Sequence, residues 1–190
     1  ALEDAGVEAI IAQGWEAGGH RGAHAQSVPY DGVWTIALVP QVVDAVSVPV
    51  IAAGGIADGR GIAAALALGA SGVLMGSAFL ACPETATASA WRSFIENANE
   101  QSTMVTDAFS GQSARILKSR FSEEMESSRT RLPPFPQLFP LVRPIREAAN
   151  HADVSFIPMG QAAGLAKATP AEELVGQLVA EAQSILSGLS

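Results

Sequence analysis

The sequence predicts an α/β fold: the C-terminal part of a (β/α)8 TIM barrel, about three βα units, followed by a helical C-terminal extension. Short apolar runs at Val7–Ala12, Val48–Ala53 and Val73–Met75 lack polar alternation, as expected of parallel strands buried on both faces. Helix-like spacing separates them, and each run ends in glycine, at Gly14, Gly54-Gly55 and Gly76. A complete barrel of this kind takes about 250 residues. The chain has 190, so the earlier strands are expected in residues outside this sequence or in a partner chain covering the Val7–Ala12 edge. The alternative is a complete open α/β fold with a long helical tail.

Taken in order, Ala1–Gly6 reads as a helix end closed by glycine. After the first strand, Val42, Val43 and Val46 give Pro40–Val46 a helical spacing, and Val48–Ala53 is the second strand. Asp58 is suited to N-cap a helix over Ile62–Leu68, which Gly69 closes before the third strand. Residues 1–82 thus form the βα units, and residues 83–190 are expected to be helical and irregular segments packing on the barrel. Within them Glu84–Asn97 predicts a helix with Trp91, Phe94 and Ile95 on its apolar side, and Thr106–Lys118 an irregular stretch around Ser110-Gly111. Leu132–Pro136 reads as a rigid extended connection. Leu141–Ala149 should be helical. Thr169-Pro170-Ala171-Glu172 combines an N-cap, a proline at N1 and a capping-box glutamate. The closing helix, 170–187, carries a stripe of Leu174, Val175, Leu178, Val179, Ala182, Ile185 and Leu186.

Composition excludes several classes of function. A formal charge of −8 argues against broad attraction to nucleic acid or an anionic membrane, so any bound anion needs a local site. The uncharged stretch Gly61–Cys82 is long enough to span a bilayer, but Gly69, Ser71, Gly72, Gly76 and Ser77 divide it into helix, turn and strand. No transmembrane segment is expected. The single cysteine, Cys82, excludes an internal disulfide, reads as a small core residue and suits a reducing compartment, with a cytoplasmic location expected. There is no Cys/His cluster with metal spacing, no G-x-S-x-G nucleophile motif and no Walker A sequence.

The chemistry gathers at the strand ends. Loops after the last strands of a parallel barrel often present backbone N–H groups to a phosphate, and glycine there avoids a Cβ that would hold the phosphate away. A flavin mononucleotide would place its phosphate on the N–H groups of Gly54, Gly55, Gly76 and Ser77, with the Ser77 hydroxyl as a further donor. Either loop taken singly also suits a plain strand-to-helix turn. Gln13, at the end of the first strand, can hydrogen-bond a flavin ring edge or serve as a polar strand cap. Gly18 and Gly19 let the backbone pass close to a flat cofactor, and His20 then projects into the cavity as a general base, general acid or anion partner. His24 and His151 read as structural or solvated, Arg21 as a member of a structural ion pair, and Trp15 and Trp34 as pocket lining or packing.

Three segments carry a resemblance: Ala12–Gly22 (AQGWEAGGHRG), Pro49–Arg60 (PVIAAGGIADGR) and Gly72–Phe79 (GVLMGSAF). With Ala108–Arg115 and Met159–Leu165, they closely resemble nitronate monooxygenase, formerly 2-nitropropane dioxygenase, over nearly the whole chain. The resemblance implies an FMN-dependent TIM barrel that oxidises alkyl nitronates with dioxygen to carbonyl compounds and nitrite. It implies that His20 is the active-site histidine and that Gln13, Gly18, Gly55, Gly76 and Ser77 contact FMN, with Gly54 and Met75 beside them. Ser77 stands in place of a threonine and keeps the hydroxyl, and Gln112 stands where an arginine is common. The family's first five strands have no counterpart here, and a chain truly lacking them is expected to be inactive. Flavin-dependent enoyl-acyl-carrier-protein reductase and NAD(P)H:quinone reductase resemble the same superfamily. A binding or assembly subunit with a vestigial site is the remaining alternative.

Overall fold

The computed structural model describes residues 1–22, 32–87, 89–126, 132–148, 152–154 and 156–189. His24, His151 and the expected helix end at Ala149 lie outside the described residues. Strands β1 (Ile10–Gln13), β3 (Val50–Ala53) and β4 (Gly72–Leu74) form a parallel sheet in the order β1-β3-β4. Each is shorter than its apolar run in the sequence, because Val7, Val48 and Met75 fall outside the paired residues. Gln13 lies opposite Ala53, and Ala53 opposite Leu74. All three strands therefore end level, and their glycine loops leave the sheet on one side. No described strand pairs with the outer edge of β1 or of β4, and Ile11 and Leu74 on those strands are exposed.

The layer beneath the sheet is built from small residues. Ala12, Val39, Val50, Ala52, Ile56, Ala65 and Ala70 form one buried cluster, the alanines letting helices α1 (Thr35–Ala45) and α2 (Gly59–Ala67) sit close to the strands. Helix α1 starts five residues before the expected Pro40, which lies inside it. Its start is fixed from outside the helix: the Glu16 carboxylate accepts hydrogen bonds from the Thr35 backbone N–H (3.0 and 3.1 Å) and from the Thr35 hydroxyl (2.9 Å). No local sequence signal carries that contact. In α2 the Asp58 side chain caps as expected, accepting from the Gly61 N–H at 3.0 Å, and Gly69 turns the chain with φ of 93°.

The segment expected to be irregular is a β-hairpin. Strands β5 (Thr103–Thr106) and β6 (Ala114–Leu117) pair antiparallel, and β6 also pairs with the two-residue β2 (Gly19–His20) to give a second sheet, β2-β6-β5. All four residues of β6 are buried, so it lacks the alternation that marks a half-buried strand. Its Ala114 and Ile116 share a buried cluster with Phe109, Leu138 and Val142. Helix α3 (Ser89–Glu96) starts later than expected, because residues near Thr85 are tied into a turn by Arg92, which donates to the carbonyls of Ala81, Cys82 and Thr85. Helix α4 spans Arg120–Glu126. The proline-rich run bends through a turn into α5 (Leu138–Ala148), which starts three residues before the expected Leu141.

Helix α6 (Ala171–Gly188) closes the chain against α2. Its first N–H, on Ala171, is not capped by Thr169: it donates to Glu84 Oε1 at 2.9 Å, so a distant carboxylate replaces the expected local hydroxyl. Leu174, Leu178 and Ala182 are buried, the two leucines beside Cys82, whereas Val175 and Val179 of the expected stripe are about half exposed. Cys82 is free and buried, as expected.

Candidate active site

The level strand ends open into a cavity of about 650 Å³, a size suited to a cofactor or small ligand. Eight of the nine candidate site residues line it: Gln13, Gly18, His20, Gly54, Gly55, Met75, Gly76 and Ser77. The ninth, Gly19, lies in β2 between two lining residues, with φ of 82°.

The two glycine loops present unpaired donors. Among the described residues, the backbone N–H groups of Gly54, Gly55, Gly76 and Ser77 donate no hydrogen bond. The glycines differ in purpose. A Cβ on Gly54 would approach Ala17 N to 2.9 Å, and Gly55 has φ of 72°, so both are required by the local backbone. A Cβ on Gly76 would meet nothing within 4 Å, which leaves that loop open toward the cavity. Ser77 Oγ accepts the Gly160 N–H at 2.8 Å, so its own proton remains for a ligand oxygen. These are the donors a phosphate needs, and they fit the terminal group of a flavin mononucleotide. Gly18, which lines the cavity, also serves the packing of the chain. A Cβ there would lie 2.6 Å from Gly160 N and 2.7 Å from Met159 C, so Gly18 lets two backbone segments meet.

His20 is held from three sides. Its Nε2 is 2.9 Å from Ser110 Oγ, and the rings of Phe156 and Phe135 lie 5.6 and 6.3 Å from the imidazole. Burial pushes its pKa below the ordinary 6.5, so the ring is neutral near pH 7. Gln13 fastens the loop that carries it: Nε2 donates to the His20 carbonyl at 3.1 Å, and Oε1 accepts the Gly22 N–H at 2.8 Å. One Nε2 proton of Gln13 is left for the cavity.

Behind this loop lies a buried cationic layer. Arg21 makes no ion pair among the described residues, contrary to expectation; its Nη1 donates to the carbonyls of Gly14 and Trp15 at 3.1 and 3.2 Å. Arg115 donates to the Trp15 carbonyl at 3.0 Å, and both guanidinium groups lie over the Trp15 ring, at 5.6 and 5.7 Å. Burial and the neighbouring Arg115 bring the Arg21 pKa down to about 10, against the opposing pull of Glu16. Trp15 thus packs against both guanidinium groups. Trp34 lines an adjacent cavity with Gly55 and Leu165.

Sequence reasoning missed Ser110, Phe156, Phe135 and Gly160 as neighbours of the site. Ser110 and Gly160 fall in the two late segments that carried the resemblance, but no local pattern connects either to His20 or Ser77. Among the described residues, no helix is long and apolar enough to cross a membrane, and no group of His, Cys, Asp and Glu could hold a metal ion.

Parallel βα units whose glycine loops and histidine face one cavity define the class: an α/β fold with its ligand site at the strand ends, the place where parallel barrels hold phosphate-bearing ligands. Comparison with known proteins narrows it. The pattern of the nitronate monooxygenase family matches residues 1–181. A probable nitronate monooxygenase of Staphylococcus aureus (strain Newman) is 45% identical over 192 residues, covering 98% of this chain and 54% of that protein. Among solved structures, nitroalkane oxidase from Streptomyces ansochromogenes superposes with a TM-score of 0.91 at 37% identity, over 100% of this chain and 55% of the other. FabK from Thermotoga maritima superposes with a TM-score of 0.83 at 34% identity, over 99% of this chain and 58% of the other. The chain belongs to the nitronate monooxygenase family. It spans about half the length of the curated relatives it matches.

Proposed function

We propose that the protein binds FMN and oxidises alkyl nitronates or nitroalkanes with dioxygen to a carbonyl compound and nitrite, this chain supplying the last three βα units of the barrel (1–82) and the segments packed on them (83–190). The observation that carries this reading is the set of unpaired N–H donors on two adjacent strand ends, facing the same cavity as a half-buried neutral histidine. Gly54, Gly55, Gly76 and Ser77 would hold the phosphate, and the remaining Gln13 amide proton would reach the ring edge. The flavin, when bound, supplies the electron acceptor. His20, neutral and beside the cavity, accepts the α-proton of a neutral nitroalkane; toward an anionic nitronate, which has no proton to give up, it could donate a hydrogen bond only after taking up a proton itself. The remaining strands would extend the open edges of β1 and β4 from residues outside this sequence.

The test uses the full-length protein with flavin bound. Nitronate should be consumed with oxygen uptake and nitrite release in the absence of NAD(P)H. His20→Asn should lower nitroalkane turnover by about 10²-fold or more while FMN stays bound. Reduction of the flavin by NAD(P)H without nitronate turnover would overturn this reading in favour of a reductase.

A further inference from the structure

We propose that Ser110 is a positioning residue that sets the tautomer of His20, holding the proton on Nε2 so that Nδ1 is the atom that accepts the substrate proton. This rests on the reading of His20 as the base.

The argument is one of counting protons. Among the described residues, Ser110 Oγ has three polar neighbours: His20 Nε2 at 2.9 Å, the Gln112 carbonyl oxygen at 3.0 Å and the Gln112 backbone nitrogen at 3.3 Å. The hydroxyl carries one proton and two lone pairs. If that proton goes to the Gln112 carbonyl, Oγ accepts from both the Gln112 N–H and His20 Nε2–H, and all three contacts are hydrogen bonds. If it goes instead to an unprotonated Nε2, two oxygen atoms are left 3.0 Å apart with no proton between them. Only the first arrangement turns all three contacts into hydrogen bonds, and at 1% exposure Ser110 has no water to bond in place of these partners. The ring nitrogen opposite the bonded one takes the complementary role.

The fold holds both partners of this contact. His20 lies in β2 opposite Ala114 of β6, and Ser110 lies in the turn entering β6, where the N–H groups of Ser110 and Gly111 donate to the Asp107 carbonyl at 3.2 and 2.7 Å. The imidazole cannot easily swing away, because Phe156 and Phe135 flank it. Nδ1 has no hydrogen-bond partner among the described residues, and His20 lines the cavity. When Nδ1 takes a proton, the Nε2–H bond to Ser110 becomes charge-assisted and strengthens.

The experiment reads the tautomer directly. In full-length flavin-loaded protein labelled with ¹⁵N-histidine, long-range ¹H–¹⁵N correlation spectra, with His20 assigned by its loss in His20→Asn, should show Nε2 protonated and Nδ1 unprotonated. Ser110→Ala should shift His20 toward the other tautomer and lower turnover of a neutral nitroalkane by about 10-fold, part of the 10²–10⁴ a positioned base contributes. Turnover of the pre-formed nitronate, which needs no proton abstraction, should fall less, and Ser110→Thr should restore the Nε2–H tautomer. A proton on Nδ1 in the wild type, or an unchanged tautomer in Ser110→Ala, would overturn the proposal; should Ser110→Ala not fold, the wild-type and Ser110→Thr spectra still decide. If the tautomer behaves as stated but neither nitroalkane nor nitronate is turned over, the assignment of Ser110 stands and the proposed reaction falls.

Discussion

Gly76→Ala separates a glycine needed by a cofactor from one needed by the fold. Gly76 has φ of −112°, open to any L-residue, and a Cβ there would meet no atom within 4 Å. The protein without flavin should accept the methyl with a change of no more than about 0.5 kcal/mol, a melting shift of about 1–2 °C for a domain of this size. The flavin should not. A phosphate oxygen on this loop sits about 2.9 Å from the donor nitrogen, within reach of a methyl on the same residue. Losing one charge-assisted hydrogen bond costs about 1.5–3 kcal/mol, so the FMN dissociation constant should rise on the order of 10- to 100-fold. Titrating FMN into the full-length apoprotein while following fluorescence quenching gives that constant, and a melting curve without flavin gives the control. Gly55 is a poorer probe, because its φ of 72° and the Glu16 carboxylate 3.3 Å from its Cβ position would disturb the fold as well. An unchanged dissociation constant together with an unchanged melting curve would refute placement of the phosphate on the β4 loop.

Two further perturbations test the scaffold of the site. Burial lowers the His20 pKa below 6.5, so on acidification the unfolded chain takes up the proton first and stability falls as pH drops from about 6.5 toward the lower folded value. His20→Asn should flatten the pH dependence of chemical denaturation in that window, and an equal slope would show that His20 is not the group responsible. Gly18→Ala would force a Cβ to 2.6 Å from Gly160 N, closer than the 3.0 Å that real Cβ atoms keep. Backbone on both sides must yield, so a loss of about 1–3 kcal/mol is expected. Thermal melts of flavin-free protein check it, and a melting temperature equal to that of the wild type would mean that the two segments are not packed against each other.

The parallel βα units were legible because their signals are local. Apolar runs ending in glycine mark strands, Asp58 and Gly69 bracket α2, and the level ends of β1, β3 and β4 follow once three such strands pair in register. The two glycine loops and His20 therefore reached one cavity as expected. The hairpin was not legible, because β6 is buried along its whole length and β2 is only two residues long, so neither has a period to read. The start of α1 at Thr35 and the cap of α6 were missed for a related reason: Glu16 and Glu84 lie 19 and 87 residues away from the groups they hold.

By itself, the sequence determined the strand ends, the donors that face them and the histidine beside them, since turn chemistry and glycine conformation act over a few residues. Only the tertiary structure decided which atom of that histidine is engaged, Nε2. Its partner Ser110 is 90 residues away, and a hydrogen bond between such residues has no trace in spacing or composition; it exists because β2 pairs with β6 and brings the two loops together.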